Sequence, residues 1–152
     1  KRRGYFFGGL LFFAACAQSP KQDNAAAVVD TTAGAELTEN DAAGSYTYIQ
    51  HGDTVSLHLT MQGSKAMGHL TYAWKEKDHN NGSFQGEIKD GILLADYTFQ
   101  SEGISSVRQV AFKIDGKTAT EGYGDVEEKD GKFVFKDANS LSFDKGLVLS
   151  RQ

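Results

Sequence analysis

The chain has 152 residues, a single cysteine and a formal net charge of −4. Without the three cations at its start it keeps 13 Lys and Arg (16 less three) against 20 Asp and Glu, a net charge of −7, and so acidic a domain repels phosphate backbones, which argues against nucleic acid as a partner. One cysteine rules out an internal disulfide, but a domain of this length buries roughly two-thirds of its unfolded surface and can be held by its core alone.

The chain opens on Lys1, Arg2 and Arg3 and then runs uncharged from Gly4 to Ala15 through Tyr5, Phe6, Phe7, Leu10, Leu11, Phe12 and Phe13. A basic start followed by an apolar run too short to span a bilayer is the pattern of a signal peptide. Phe13-Ala14-Ala15-Cys16 resembles a lipobox, which implies cleavage before Cys16 and acylation of its sulfur. Residues 1–15 are therefore predicted to be a lipoprotein signal peptide, with the mature protein anchored through Cys16 to membrane lipid of the bacterial envelope, at the outer membrane and facing the periplasm or the surface. Residues 16–43, rich in Ala, Asn, Asp, Thr and Glu with Pro20, read as a flexible tether. Within them Asp30-Thr31-Thr32 resembles the Bacteroidota O-glycosylation acceptor pattern, with Thr31 as its acceptor, and a short helix fits Ala25 to Val29.

From Gly44 the pattern becomes period-two alternation punctuated by glycine turns, the signature of an antiparallel meander. Turns are predicted at Gly63-Ser64, Asn80-Asn81-Gly82, Asp90-Gly91, Asp115-Gly116 and Asp130-Gly131, with a further connection at Glu102-Gly103. Treating them as tight hairpins sets Leu57 opposite Leu70, Val55 opposite Tyr72, Trp74 opposite Ile88, Phe84 opposite Tyr97 and Phe112 opposite Ala119. One face is apolar throughout. The expected fold of residues 44–152 is thus all-β, an up-and-down meander of eight or nine strands closing into a small barrel; closure removes both sheet edges, which favours it over the alternative of a β-sandwich.

Gly44-Ser45-Tyr46-Thr47-Tyr48, the run Ala95 to Gly103, Ser106 to Phe112 and Glu121-Gly122-Tyr123-Gly124 together resemble a group of small, largely uncharacterised Bacteroidota lipoproteins. The likeness covers most of residues 44–136 and implies an envelope lipoprotein with a meander barrel, similar in architecture alone to avidin-like and lipocalin-like barrels. It brings no activity with it, because fold likeness does not carry function.

Catalytic and cofactor signatures are absent: there is no Gly-x-Ser-x-Gly elbow, no His-Glu-x-x-His, no phosphate loop and no calcium loop. Asn81-Gly82-Ser83 matches an N-glycosylation sequon, although its Asn-Gly reads first as a turn. No cofactor is expected, and an enzyme, such as a hydrolase pairing a His with a carboxylate, ranks behind a binding protein. The Gly63-Ser64 register sets His58 opposite His69 on the polar face, about 5 Å apart at Cβ. Two imidazoles there could share a metal ion, yet a structural site wants four ligands.

Arg108 shares the alternation face of Val110, Phe112 and Ile114 and so points inward. The Asp115-Gly116 hairpin would set it opposite Tyr123 and set Val110 opposite Glu121. Glu76 lies on the Trp74 face. These residues make an expected interior polar cluster of Arg108, Glu121, Tyr123 and Glu76. Full pairing with carboxylates would make the arginine structural; a guanidinium left open to a cavity would suit a small anionic ligand. Two functional readings follow: a small-ligand or protein binding module on the envelope, or a structural, stress-related lipoprotein with a filled barrel that contacts another envelope protein.

Overall fold

Glycine-containing turns set the registers of the chain, which a computed structural model describes for residues 37–77 and 79–152. His51-Gly52, Asp90-Gly91, Glu102-Gly103 and Asp130-Gly131 each place both residues at positive φ, the type I′ geometry whose twist matches that of paired strands. At Gly63-Ser64 only Gly63 is at positive φ (63°). The predicted signal peptide, Cys16, Thr31 and the predicted helix from Ala25 to Val29 lie outside the described residues.

Ten strands result among the described residues: β1 (Gly44–Gln50), β2 (Asp53–Gln62), β3 (Lys65–Ala73), β4 (His79–Lys89), β5 (Ile92–Ser101), β6 (Ile104–Ile114), β7 (Thr118–Gly122), β8 (Val126–Lys129), β9 (Lys132–Phe135) and β10 (Val148–Arg151). β1 to β7 follow one another around the sheet, and β10 inserts between β7 and β1, so eight strands close a barrel. The β8–β9 hairpin stands outside the ring and pairs with it at one parallel bridge, Arg108 to Phe133. The expected all-β barrel is therefore present, with a hairpin appended.

Within it Leu57 pairs with Leu70, Val55 with Tyr72 and Phe84 with Tyr97, as the turns predict. Two turns differ. Asn80, Asn81 and Gly82 do not turn; they pair inside the β3–β4 ladder with Tyr72, Thr71 and Leu70, and the connection falls between Ala73 and His79. Trp74 accordingly sits past the end of β3 rather than opposite Ile88. Gly82 serves close approach instead: a Cβ there would lie 2.0 Å from the Thr98 carbonyl oxygen, so only glycine lets β4 and β5 pass at this bend.

The second difference is at Asp115-Gly116. The Asp115 carboxylate accepts the amides of Lys117 (2.9 Å) and Thr118 (2.6 Å), an Asx-type turn that widens the loop. Those bonds, that from Thr118 first, hold the Asp115 pKa below its usual value. Phe112 then pairs with Glu121 and Ile114 with Ala119, a shift of two residues from the expected Phe112–Ala119 register. A shift of two keeps every side chain on its face, but it removes the expected Arg108–Tyr123 and Val110–Glu121 pairs. Arg108 lies opposite Tyr97 of β5 instead.

The barrel is packed with side chains: Tyr46, Phe84, Tyr97 and Phe112 are fully buried. One end is plugged by α1 (Glu39–Ala42), started by a Thr38 capping box. Ala42 is buried there, and the Tyr46 hydroxyl donates to its carbonyl at 2.7 Å. Thus the folded body begins ahead of Gly44, inside the segment that reads as tether.

Candidate ligand-binding site

The wall of the barrel opens where β6 runs out of partner. β7 pairs with it only from Ala111 to Ile114, because the strand ends at Gly122, so the first half of β6 keeps β5 on one side and has no ladder on the other. The β8–β9 hairpin lies along this gap. It is held by the Arg108–Phe133 bridge, by the Phe135 amide donating to Gln109 Oε1 at 3.0 Å, and by a Lys132–Asp96 ion pair at 2.6 Å. Between hairpin and wall is a cavity of about 400 Å³ lined by Phe99, Arg108, Glu121, Tyr123, Val126, Phe133 and Phe135 among others.

Alternation points Arg108 inward, and its side chain reaches across the interior. Its Cζ lies 5.1 Å from the Tyr72 ring, 5.5 Å from Phe99 and 5.8 Å from Tyr97, distances at which a cation is attracted to a ring face. The rings support one another: Tyr97 stacks on Phe99 at 5.0 Å and meets Tyr72 edge-on at 6.0 Å. Yet the guanidinium forms no ion pair among the described residues, and its buried Nε has no hydrogen-bond partner. It is the one such buried side-chain atom found among them.

Glu121, 6% exposed, has other partners. Its Oε1 accepts from the Tyr72 hydroxyl at 2.5 Å and its Oε2 from the Tyr123 hydroxyl at 2.9 Å. Burial first, and then the charge of Glu121, push the Tyr72 and Tyr123 hydroxyls well above the usual phenol range, which keeps both protonated as donors. Burial pushes Tyr97 up to about 12.

Arg108, Glu121 and Tyr123 thus surround one cavity, as expected, but as neighbours rather than as a closed cluster. Glu76 is not with them. It sits exposed in the β3–β4 connection at positive φ (62°), because the strand that would have carried it ends at Ala73. The residues that sequence reasoning missed are Tyr72, Tyr97 and Phe99. Their inward face was legible from alternation; their convergence on Arg108 depends on barrel closure.

His58 does pair with His69 across β2 and β3, and both are exposed. The His58 Nδ1 is 2.9 Å from the Ser45 hydroxyl. Among the described residues no cluster of three or more His, Cys, Asp or Glu could hold a metal ion, so this pair offers two ligands and no more. Larger depressions occur, one of about 950 Å³ beside the Asp115-Gly116 turn and one of about 590 Å³ over β3 to β5, but they hold no unpaired buried donor among the described residues.

No protein-family model, curated protein or solved structure matches this chain. The functional reading therefore rests on the geometry of the site.

Proposed function

We propose that the chain is an envelope lipoprotein, anchored through acylated Cys16 and most simply placed at the outer membrane, whose barrel domain is a binding module for a small ligand. The observation that carries the binding role is the cavity at the β6–β7 gap, with an inward arginine that the protein leaves without an acceptor. Unpartnered buried donors are rare in native proteins, and a volume of about 400 Å³ falls within the usual range for small-molecule sites. Apolar walls with a few polar groups are the ordinary composition of such sites. The reading involves no catalysis: the carboxylate is tied to two hydroxyls, and no nucleophile–base pair stands at the cavity among the described residues.

A protein partner is the second reading, supported by the exposure of Ile104, Tyr123, Val126 and Phe133 near the same gap. Thermal shift of the purified full chain against a small-molecule library separates the two, since a ligand that binds only the folded state raises its midpoint with concentration. Stabilisation that Arg108→Met abolishes supports the binding module; no hit across the library removes it. For the anchor, metabolic labelling with an alkyne fatty acid should tag the wild type and leave Cys16→Ser unlabelled. Equal labelling of both would end the lipoprotein reading.

A further inference from the structure

The geometry points to a monocarboxylate with a compact apolar body as the ligand of this cavity, an inference that rests on the binding-module reading and specifies its chemistry. It begins with the guanidinium. Three rings gather about its Cζ at 5.1 to 5.8 Å, so the donors act through the edge of the planar fork. The Nε is buried beyond a ligand's reach, whereas the two Nη groups are neither buried nor hydrogen-bonded to the described residues, which makes the Nη1–Nη2 edge the open one. A planar acceptor with two oxygens fills such an edge with two parallel bonds, and a carboxylate has that shape.

Charge selects a monoanion over a dianion. Arg108 is the only cation in the cavity lining and Glu121 its only anion, so a phosphate monoester would bring two negative charges toward one guanidinium and a resident carboxylate. No second Lys or Arg among the lining residues shares that load. A carboxylate places a single charge on the arginine and leaves Glu121 with its two tyrosine donors.

The rest of the lining fits the body of the ligand. Phe99, Val110, Val126, Phe133 and Phe135 present hydrocarbon, and a cavity of about 400 Å³ admits a single ring or a short chain. An aryl or short aliphatic acid therefore matches both halves of the site: a charged edge inside and an apolar wall formed partly by the hairpin.

Calorimetric titration of the purified full chain with benzoate, phenylacetate and hexanoate, each against its neutral amide, tests this. The expected result is that the acids bind and their amides bind at least about tenfold more weakly, since a pair between two charged groups is stronger than a hydrogen bond to a neutral one. Arg108→Met should lower acid affinity by about tenfold or more and amide affinity by clearly less, so that acids lose their advantage over amides, and Arg108→Lys should restore only part of it because an ammonium cannot form the bidentate pair. Amides that bind as tightly as acids, or acids indifferent to Arg108→Met, would overturn the carboxylate assignment and leave the binding module standing. If neither acids nor amides bind, the carboxylate assignment falls, and the thermal-shift library decides separately whether the binding module stands.

Discussion

The two ends of the barrel each carry an arginine beside a tyrosine, and they use it in opposite ways. At the end plugged by α1, Arg151 lies 5.9 Å from the Tyr46 ring and spends its fork on the main chain. Nη1 donates to the Asp41 and Gly116 carbonyls at 2.7 and 2.9 Å, and Nη2 to Ala43 at 2.7 Å and Asn40 at 3.5 Å. The Asn40, Asp41 and Ala43 carbonyls lie where a helix C-terminus leaves such groups unpaired, and Gly116 belongs to the turn between β6 and β7, so the guanidinium ties α1 to that turn and to the strand that closes the ring. At the β6–β7 gap the Arg108 guanidinium is held among three rings and makes no hydrogen bond or ion pair to the described residues. Aromatic packing is common to both residues and therefore does not decide the role of either. What decides it is whether the protein fills the fork.

Arg151→Ala should have the largest effect. Removing three short charge-assisted bonds leaves several carbonyls for water to satisfy, and a loss of about 2 to 3 kcal/mol in urea unfolding is expected. Arg151→Lys should recover little, because one ammonium cannot span Asp41, Gly116 and Ala43. A loss under about 0.5 kcal/mol for the alanine variant would mean that α1 holds without the clasp, and the contrast between the ends would disappear.

The tyrosines at the open end give the next test. Tyr72 and Tyr123 donate to the same carboxylate, yet Tyr72 is buried and Tyr123 is 48% exposed. Tyr72→Phe should cost about 1.5 to 2 kcal/mol, since it takes a charge-assisted donor from buried Glu121. Tyr123→Phe should cost about 0.5 kcal/mol or less, because water can reach the vacated oxygen. Equal costs would show that exposure does not govern this pair. Their ionisation adds a pH dependence with a definite sign. Tyr97 is raised from 10.0 to about 12, and Tyr72 and Tyr123 are raised further in the same direction by burial and by Glu121. The unfolded chain therefore loses these protons first. The stability they contribute is complete below pH 10 and declines as the pH rises from there through about 12. Urea unfolding followed across that window should show the decline, and Tyr72→Phe should make it shallower. A flat profile would mean that the phenols ionise in the folded state as they do in the unfolded one.

Much of this frame was legible in the residues, and the exceptions share a physical cause. Tight turns such as Asp90-Gly91 fix their registers locally, so the pairing of Phe84 with Tyr97 follows from the sequence. Asn81-Gly82 carries an equally strong turn signal, yet Gly82 is glycine because the Thr98 carbonyl comes within 2.0 Å of where its Cβ would be. A local reading cannot separate those two uses of glycine, since the second is dictated by another strand. At Asp115 the deciding contact is a side chain on the amides of Lys117 and Thr118, which displaces the register by two and with it the expected pairing of Arg108 with Tyr123 and of Val110 with Glu121. The inward direction of Arg108 survived, because a shift of two preserves faces. Its neighbours did not, because Tyr72 comes from β3 and reaches Arg108 only when the barrel is closed. The hairpin that completes the cavity was visible as the Asp130-Gly131 turn, but the single bridge from Phe133 to Arg108 has no signature in either strand.

The smallest expected effect sharpens the contrast most. Arg108→Met should change the stability of the unliganded protein by less than about 1 kcal/mol in either direction, because two terms oppose each other. The substitution gives up cation–π contacts with Tyr72, Phe99 and Tyr97, worth roughly 0.5 to 1 kcal/mol apiece where solvent has access. Against that, it removes a buried Nε donor that no acceptor satisfies, a group whose burial costs about 1 to 3 kcal/mol. Methionine also refills most of the volume and packs well against aromatic rings. Glu121 is not stranded, since the Tyr72 and Tyr123 hydroxyls remain on its two oxygens. A near-zero change, set beside the loss at Arg151, would show that one arginine holds the fold and the other is kept for something outside it. A loss of about 3 kcal/mol or more, the size expected when a buried carboxylate loses its counter-ion, would show instead that Arg108 supports Glu121 through the interior and that the two ends of the barrel are built on the same principle.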